Sequence, residues 1–132
     1  MFWKLFTGKA QLTGAPSSRR IKTYAAQSGY VYEYFHQGHR IARRNGEPHV
    51  EYVFTVSASR KRPLNLSVFL PDSAVASWER ANNRLLSATE KYALAKLALF
   101  QAFDERPTPA HLQTETTIHL AEVEAFASAL GL

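Results

Sequence analysis

Hydrophobic and polar positions repeat with two different periods along this chain. From residue 30 the period is two: Tyr30, Tyr32 and Tyr34 fall on one side, and Val31, Glu33 and Phe35 on the other. Aromatic and β-branched residues in that period mark a strand. Gln37-Gly38 offers a tight turn, because glycine accepts positive φ, and residues 39–44 would then return antiparallel. Asn45-Gly46 is a stronger turn signal. It leads to a third strand over 49–59, with Val50, Tyr52, Phe54 and Val56 on one face. The run Arg60-Lys61-Arg62-Pro63 makes the next corner, and Leu64, Leu66, Val68 and Leu70 alternate in a fourth strand. The expectation is an antiparallel meander.

The period then lengthens. Pro71-Asp72-Ser73 reads as a helix start with Asp72 or Ser73 as N-cap, and a short helix to about residue 83 would bury Val75 and Trp78. Ser87-Ala88-Thr89-Glu90 is a capping box that opens the longest helix, 88–104, and Pro107 and Pro109 close the helical region. Residues 112–118 alternate again and predict a fifth strand. A last helix over 120–130 carries Leu120, Val123, Ala127 and Leu130 at helical spacing, with Gly131 as its stop. The order predicts an α+β domain: a mainly antiparallel sheet of four to five strands with about three helices on one face.

The 88–104 helix is unusual in having two apolar sides. At 100° per residue, Tyr92, Leu99, Phe100 and Phe103 share one arc, while Leu94 and Leu97 lie opposite among Glu90, Gln101 and Asp104. A surface helix needs only one apolar stripe. Either the helix is covered on both sides or its second side meets another copy, and a homodimer through this helix is the expectation carried forward.

The beginning of the chain breaks the pattern. Residues 1–19 read as an apolar tip followed by a linker rich in Gly, Pro, Ser and Thr, and residues 20–132 as one domain. Phe2, Trp3 and Phe6 would fold back onto the domain or, less readily, dip into a lipid surface. No apolar run approaches the roughly 18–20 residues of a membrane span. Lys4 interrupts a stretch already too short for a secretory leader. A cytoplasmic location is expected. With 132 residues, 45% of them hydrophobic and none of them cysteine, the chain suits one globular domain without disulfides or Cys-based metal centres.

Charge changes the picture more than composition does. The segment 19–62 holds nine Lys/Arg against three Asp/Glu, a net of +6, whereas 63–132 holds five against eight, a net of −3. Arg40, Arg43, Arg44, Arg60, Lys61 and Arg62 therefore share a segment with the ladder Tyr30, Tyr32, Tyr34. Cations beside exposed rings would suit an acidic protein or another polyanion. Nucleic acid is the alternative partner, although the Lys/Arg-Gly-aromatic signature of RNA-reading sheets is missing.

Candidate chemistry is sparse. His36, His39 and His49 lie near the expected hairpin with Glu47 and Glu51 close by, but their spacing matches no standard metal motif. Glu33 sits between Val31 and Phe35 and could be a tuned acid, or more simply an edge charge or ion-pair partner. Lys96 falls within the apolar arc of the long helix, where dehydration would favour an amine base or imine former, though snorkelling is the simpler account. No nucleophile elbow or phosphate loop occurs, and no cofactor is implied. The expectation is a non-catalytic binding module whose basic, aromatic hairpin meets an acidic or anionic partner. A small enzyme using Lys96 or a His/Glu cluster is the further alternative.

Overall fold

The computed structural model describes residues 10–16, 19–58 and 61–132. Five strands form one sheet in chain order: β1 Lys22–Ala25, β2 Val31–Arg44, β3 Glu47–Ala58, β4 Leu64–Pro71 and β5 Glu115–Thr117. Neighbours are antiparallel except β4 and β5, which run parallel. Three helices complete the domain: α1 Asp72–Asn82, α2 Ala88–Glu105 and α3 Leu120–Ala129. The α+β architecture is the one expected from the change of period.

Alternation along the strands decides which sheet face is covered. Tyr32, Tyr34, Phe54, Val56, Leu66, Val68 and Leu70 all enter one core with Trp78 of α1, Leu99 and Phe103 of α2, and Val123 of α3. Two contacts fasten the sheet to α2: the rings of Tyr32 and Phe103 stack at 4.3 Å, and those of Tyr24 and Phe100 at 4.4 Å. Asp104 completes the junction by accepting from the Tyr24 hydroxyl at 2.7 Å and the Gln27 amide at 2.9 Å. That carboxylate pushes the Tyr24 phenol up to about 12, with burial adding to the effect.

The two apolar sides of α2 are both covered within the monomer. Leu94 is fully buried, Leu97 is partly buried against the core, and Gln101 donates to Glu122 of α3 at 3.0 Å. α3 packs beside α2 and covers this second apolar side within the chain. Among the described residues no helix is long and apolar enough to cross a membrane.

Several boundaries differ from expectation. Residues 31–44 form one 14-residue strand, not two strands joined at Gln37-Gly38. The pairing with β3 slips between His36 and Gly38, so Gln37 is the extra residue of a β-bulge. Glycine in the middle of a strand can signal a bulge as well as a turn. The antiparallel neighbour that keeps the sheet a meander is β1, whose four residues Lys22–Ala25 are too few to show a period. Asn45 (φ 52°) and Gly46 (φ 78°) make the expected tight turn between β2 and β3.

α1 begins at Asp72 with Pro71 in the capping position, and Ser73 donates to Glu47 instead of capping. The Ser87/Glu90 capping box is present. β5 is shorter than expected: after a 3-10 turn over Pro109–His111, residues 112–114 stay irregular and only Glu115–Thr117 pair with β4.

Candidate functional site

A bulge in the middle of β2 shapes a broad groove on the helix-covered side of the sheet edge. Without it, His36 and His39, three positions apart, would point to opposite faces of the sheet. The added residue brings both onto the face that α2 covers, where their rings lie parallel at 6.4 Å. His36 also meets the ring of Tyr92, in the first turns of α2, at 4.7 Å. Tyr52 of β3 lies 6.1 Å from Tyr92 and 5.7 Å from His39. A groove of about 860 Å³ opens over these rings, with Ile41 and Val50 continuing its floor.

The segment 10–16 makes the opposite wall. Thr13 exchanges two backbone hydrogen bonds with His39, each 2.8 Å, and Arg40 donates to the Ala10 carbonyl at 3.4 Å. Two glycines permit this approach. A Cβ on Gly38 would lie 2.7 Å from the Thr13 carbonyl oxygen, and one on Gly14 would lie 2.4 Å from the His39 ring. Both carry positive φ, +139° and +74°. The part of the expected linker that is described is therefore fastened to the sheet edge.

Burial disfavours charge on three of the groove's rings. Burial pulls the His36 imidazole below its usual 6.5, helped by His39 nearby and opposed by a backbone hydrogen bond at Gly38. Its Nε2 is buried with no partner among the described residues. Burial pushes the Tyr92 phenol up, and with Asp72 it pushes Tyr52 up to about 12. The rim is cationic: Arg20 comes from the approach to β1, Lys22 from its first position, and Lys91 from α2. No Asp or Glu is among the described lining residues.

The residues expected to form a basic aromatic docking surface are not brought together. Tyr32 and Tyr34 are 0% and 5% exposed, and Tyr30 packs against the same core. These rings are packing residues, because the helices cover the face they share. Arg40, on the other sheet face, pairs with Glu51 through two contacts of 2.8 and 3.1 Å. Glu51, itself 3% exposed, also accepts from Ser67 at 2.6 Å, and its hydrogen bonds hold the Arg40 guanidinium firmly protonated. Arg44 pairs with Glu115 at 2.9 Å and lies over the Phe69 ring at 4.1 Å.

Arg43 is exposed beside the Asn45-Gly46 turn and donates to the Gly46 carbonyl. Lys61 and Arg62 are exposed at the far end of β3. Twelve strand residues separate these two groups, roughly 40 Å at about 3.3 Å per residue. Arg60, Phe2, Trp3 and Phe6 lie outside the described residues.

The weaker chemical candidates are also dispersed. His49 is buried on the other face of the sheet from His36 and His39, with Nδ1 3.1 Å from the Glu47 carbonyl. No group of three potential metal ligands occurs among the described residues. Glu33 is exposed on that same other face, so it does not join the histidine pair. Lys96 is half-buried one turn along α2 from Tyr92, its ammonium 6.0 Å from that ring and 5.7 Å from Phe100. Burial and the neighbouring Lys22 charge lower its pKa.

Sequence reasoning missed the groove because its parts come from five separate segments. Tyr52 and Tyr92 were visible only as core positions. The one local signal was Gly38 inside a strong strand pattern, which is compatible with a bulge. Compared with protein-family models, curated proteins and solved structures, the chain matches none.

Proposed function

We propose that this protein is a non-catalytic binding module for an anionic partner, and that the partner is received in the groove between the β2 bulge and the start of α2. The observation that supports this reading most is a separation of charge: cations from Arg20, Lys22 and Lys91 at the rim, and no carboxylate among the described lining residues. Low-dielectric walls with cations of one sign at the mouth focus a favourable potential on an anion. The volume of about 860 Å³ lies within the roughly 300–1,000 Å³ of small-molecule sites.

The hairpin end offers less. Arg40 and Arg44 are already engaged by Glu51 and Glu115, and bringing a second acid there would have to displace those partners. Nucleic acid would require a continuous cationic track. The exposed cations Arg43, Lys61 and Arg62 stand at opposite ends of β3, which weighs against that partner. The enzyme alternative lacks an assembled set of groups, with Glu33 and His36 on different faces.

A thermal-shift panel of carboxylates, phosphates, sulfonates, an acidic peptide and an oligonucleotide tests the reading. A ligand at about 100 times its Kd stabilises by roughly 2.7 kcal/mol, a shift of several degrees in a domain of this size. At least one anion is expected to raise Tm, and Lys22→Glu with Lys91→Glu should abolish the shift. Lys61→Glu with Arg62→Glu should leave it intact. If the second pair abolishes the shift and the first does not, the groove is the wrong site.

A further inference from the structure

The inside of the groove differs from its rim, and the difference specifies more than a negative charge. Its floor and back wall are rings: Tyr52 and Tyr92 at 6.1 Å from each other, with His36 and His39 parallel beside them. Burial disfavours the charged forms of His36 and of both phenols near neutral pH. A bare inorganic anion would have to give up water to enter such a space, and neither His36 nor the phenols would compensate it with charge. A planar apolar body would replace water there at no such cost, stacking on the rings.

The enclosure sets a size limit. The wall formed by 10–16 is fixed to the sheet edge by the paired Thr13 and His39 backbones and by the contact of Gly14 with the His39 ring. That wall turns an open sheet edge into a slot. A small molecule fits in it, and a polymer could only lie across its mouth, touching the rim cations alone.

Resting on the reading of the groove as an anion site, we infer that its ligand is a small aromatic carboxylic acid, with its ring laid over Tyr92 and the histidine pair and its carboxylate at Lys22 and Lys91. The carboxylate stays at the mouth, where Lys22 is exposed and Lys91 half-exposed, so its partial hydration is kept. Ile41, 61% exposed, continues the floor beyond the histidine pair, on the side away from Lys22, and extends the apolar surface open to the ring.

The full chain, titrated by calorimetry and by amide chemical shifts, can be given four probes: 2-naphthoate, 2-naphthylmethylammonium, inorganic phosphate and a heparin fragment. 2-Naphthoate should bind saturably with a Kd of roughly 100 μM, as expected for about a dozen ligand atoms of ordinary efficiency. The ammonium analogue should bind at least tenfold more weakly. Lys22→Ser with Lys91→Ser should weaken 2-naphthoate about tenfold. Ile41→Asp, at an exposed position that leaves the core untouched, should weaken it by a similar factor.

Phosphate binding as tightly as 2-naphthoate would overturn the aromatic assignment. So would equal affinity for the ammonium analogue. Heparin binding at the rim with a steep salt slope, while 2-naphthoate fails to bind, would also overturn it but leave the anion-binding reading standing. Failure of every anion would remove both.

Discussion

The two halves of β2 belong to one continuous strand and come to opposite ends. Before the bulge, residues 32–34 are flanked by β1 and β3 and lie under α2, and Tyr32 disappears completely against Phe103. After it, residues 39–44 have β3 on one side and, among the described residues, the Thr13 bridge on the other, and Ile41 remains 61% exposed. Tyrosines read as a docking ladder thus became core, while a histidine pair at the junction became the wall of a groove. The lesson is that an amphipathic strand names a face, but the helix laid on it decides how far along the strand that face is closed.

The contrast can be broken most severely at its covered end. Tyr32→Ala removes a fully buried ring from the stack with Phe103 and should cost about 3–5 kcal/mol in urea unfolding. A cost below about 1 kcal/mol would mean that α2 does not close this half as described. Glu51→Ala, which takes away the acceptor of both Arg40 and Ser67 on the other sheet face, should cost about 2–3 kcal/mol and change little with salt. Arg44→Ala, at a more exposed pair, should cost less than about 1 kcal/mol.

The junction itself is sharpened by Gly38→Ala. The new methyl meets the Thr13 carbonyl at a backbone angle that suits glycine, so a loss of about 1–2 kcal/mol is expected. Faster amide exchange at Thr13 and His39 should accompany it. Unchanged exchange would show that the 10–16 segment is held by something else.

A pH series addresses the same place. The His36 pKa lies below its usual 6.5, so the unfolded chain binds the extra proton more readily than the folded one. Its contribution to stability is therefore complete above about 6.5 and lost as pH falls through the folded value. The wild type should lose stability between pH 7 and pH 5.5 more steeply than His36→Phe, and parallel curves would refute the buried neutral imidazole. Glu90 behaves alike at lower pH: Arg84 and the Ser87 amide hold its carboxyl at about 2, so its contribution is lost from about 4.5 downward. The smallest effect is expected at the open end, where Ile41→Ala should stay within about 0.5 kcal/mol of wild type. Light scattering at micromolar concentration should give the monomer mass, because α2 leaves no apolar side uncovered.

Much of the fold could be read from periodicity, and the particular failures share a cause. The Ser87/Glu90 cap and the Asn45-Gly46 turn are made within four residues, and both were legible. Lys22–Ala25 could not be found, since four residues hold no period and its strand character comes from pairing with β2. Gln37-Gly38 was ambiguous for the same reason. Glycine permits a turn and a bulge alike, and only the continuous register with β3 chooses between them. The charge of the basic segment was legible, but whether a guanidinium faces water or Glu51 depends on which residue β3 places across from Arg40.

The sequence by itself determined the α+β class, the meander with its tightest turn, the helix caps and the residues able to form a core. These follow from interactions between near neighbours and from the alternation that exposes one face of an element to apolar contact. Tertiary structure alone decided that α2 is covered on both sides, that the basic residues separate, and that rings from β2, β3 and α2 converge under the 10–16 segment. The physical reason is register: shifting a strand by one residue exchanges its faces, and a single unpaired residue at position 37 did that here.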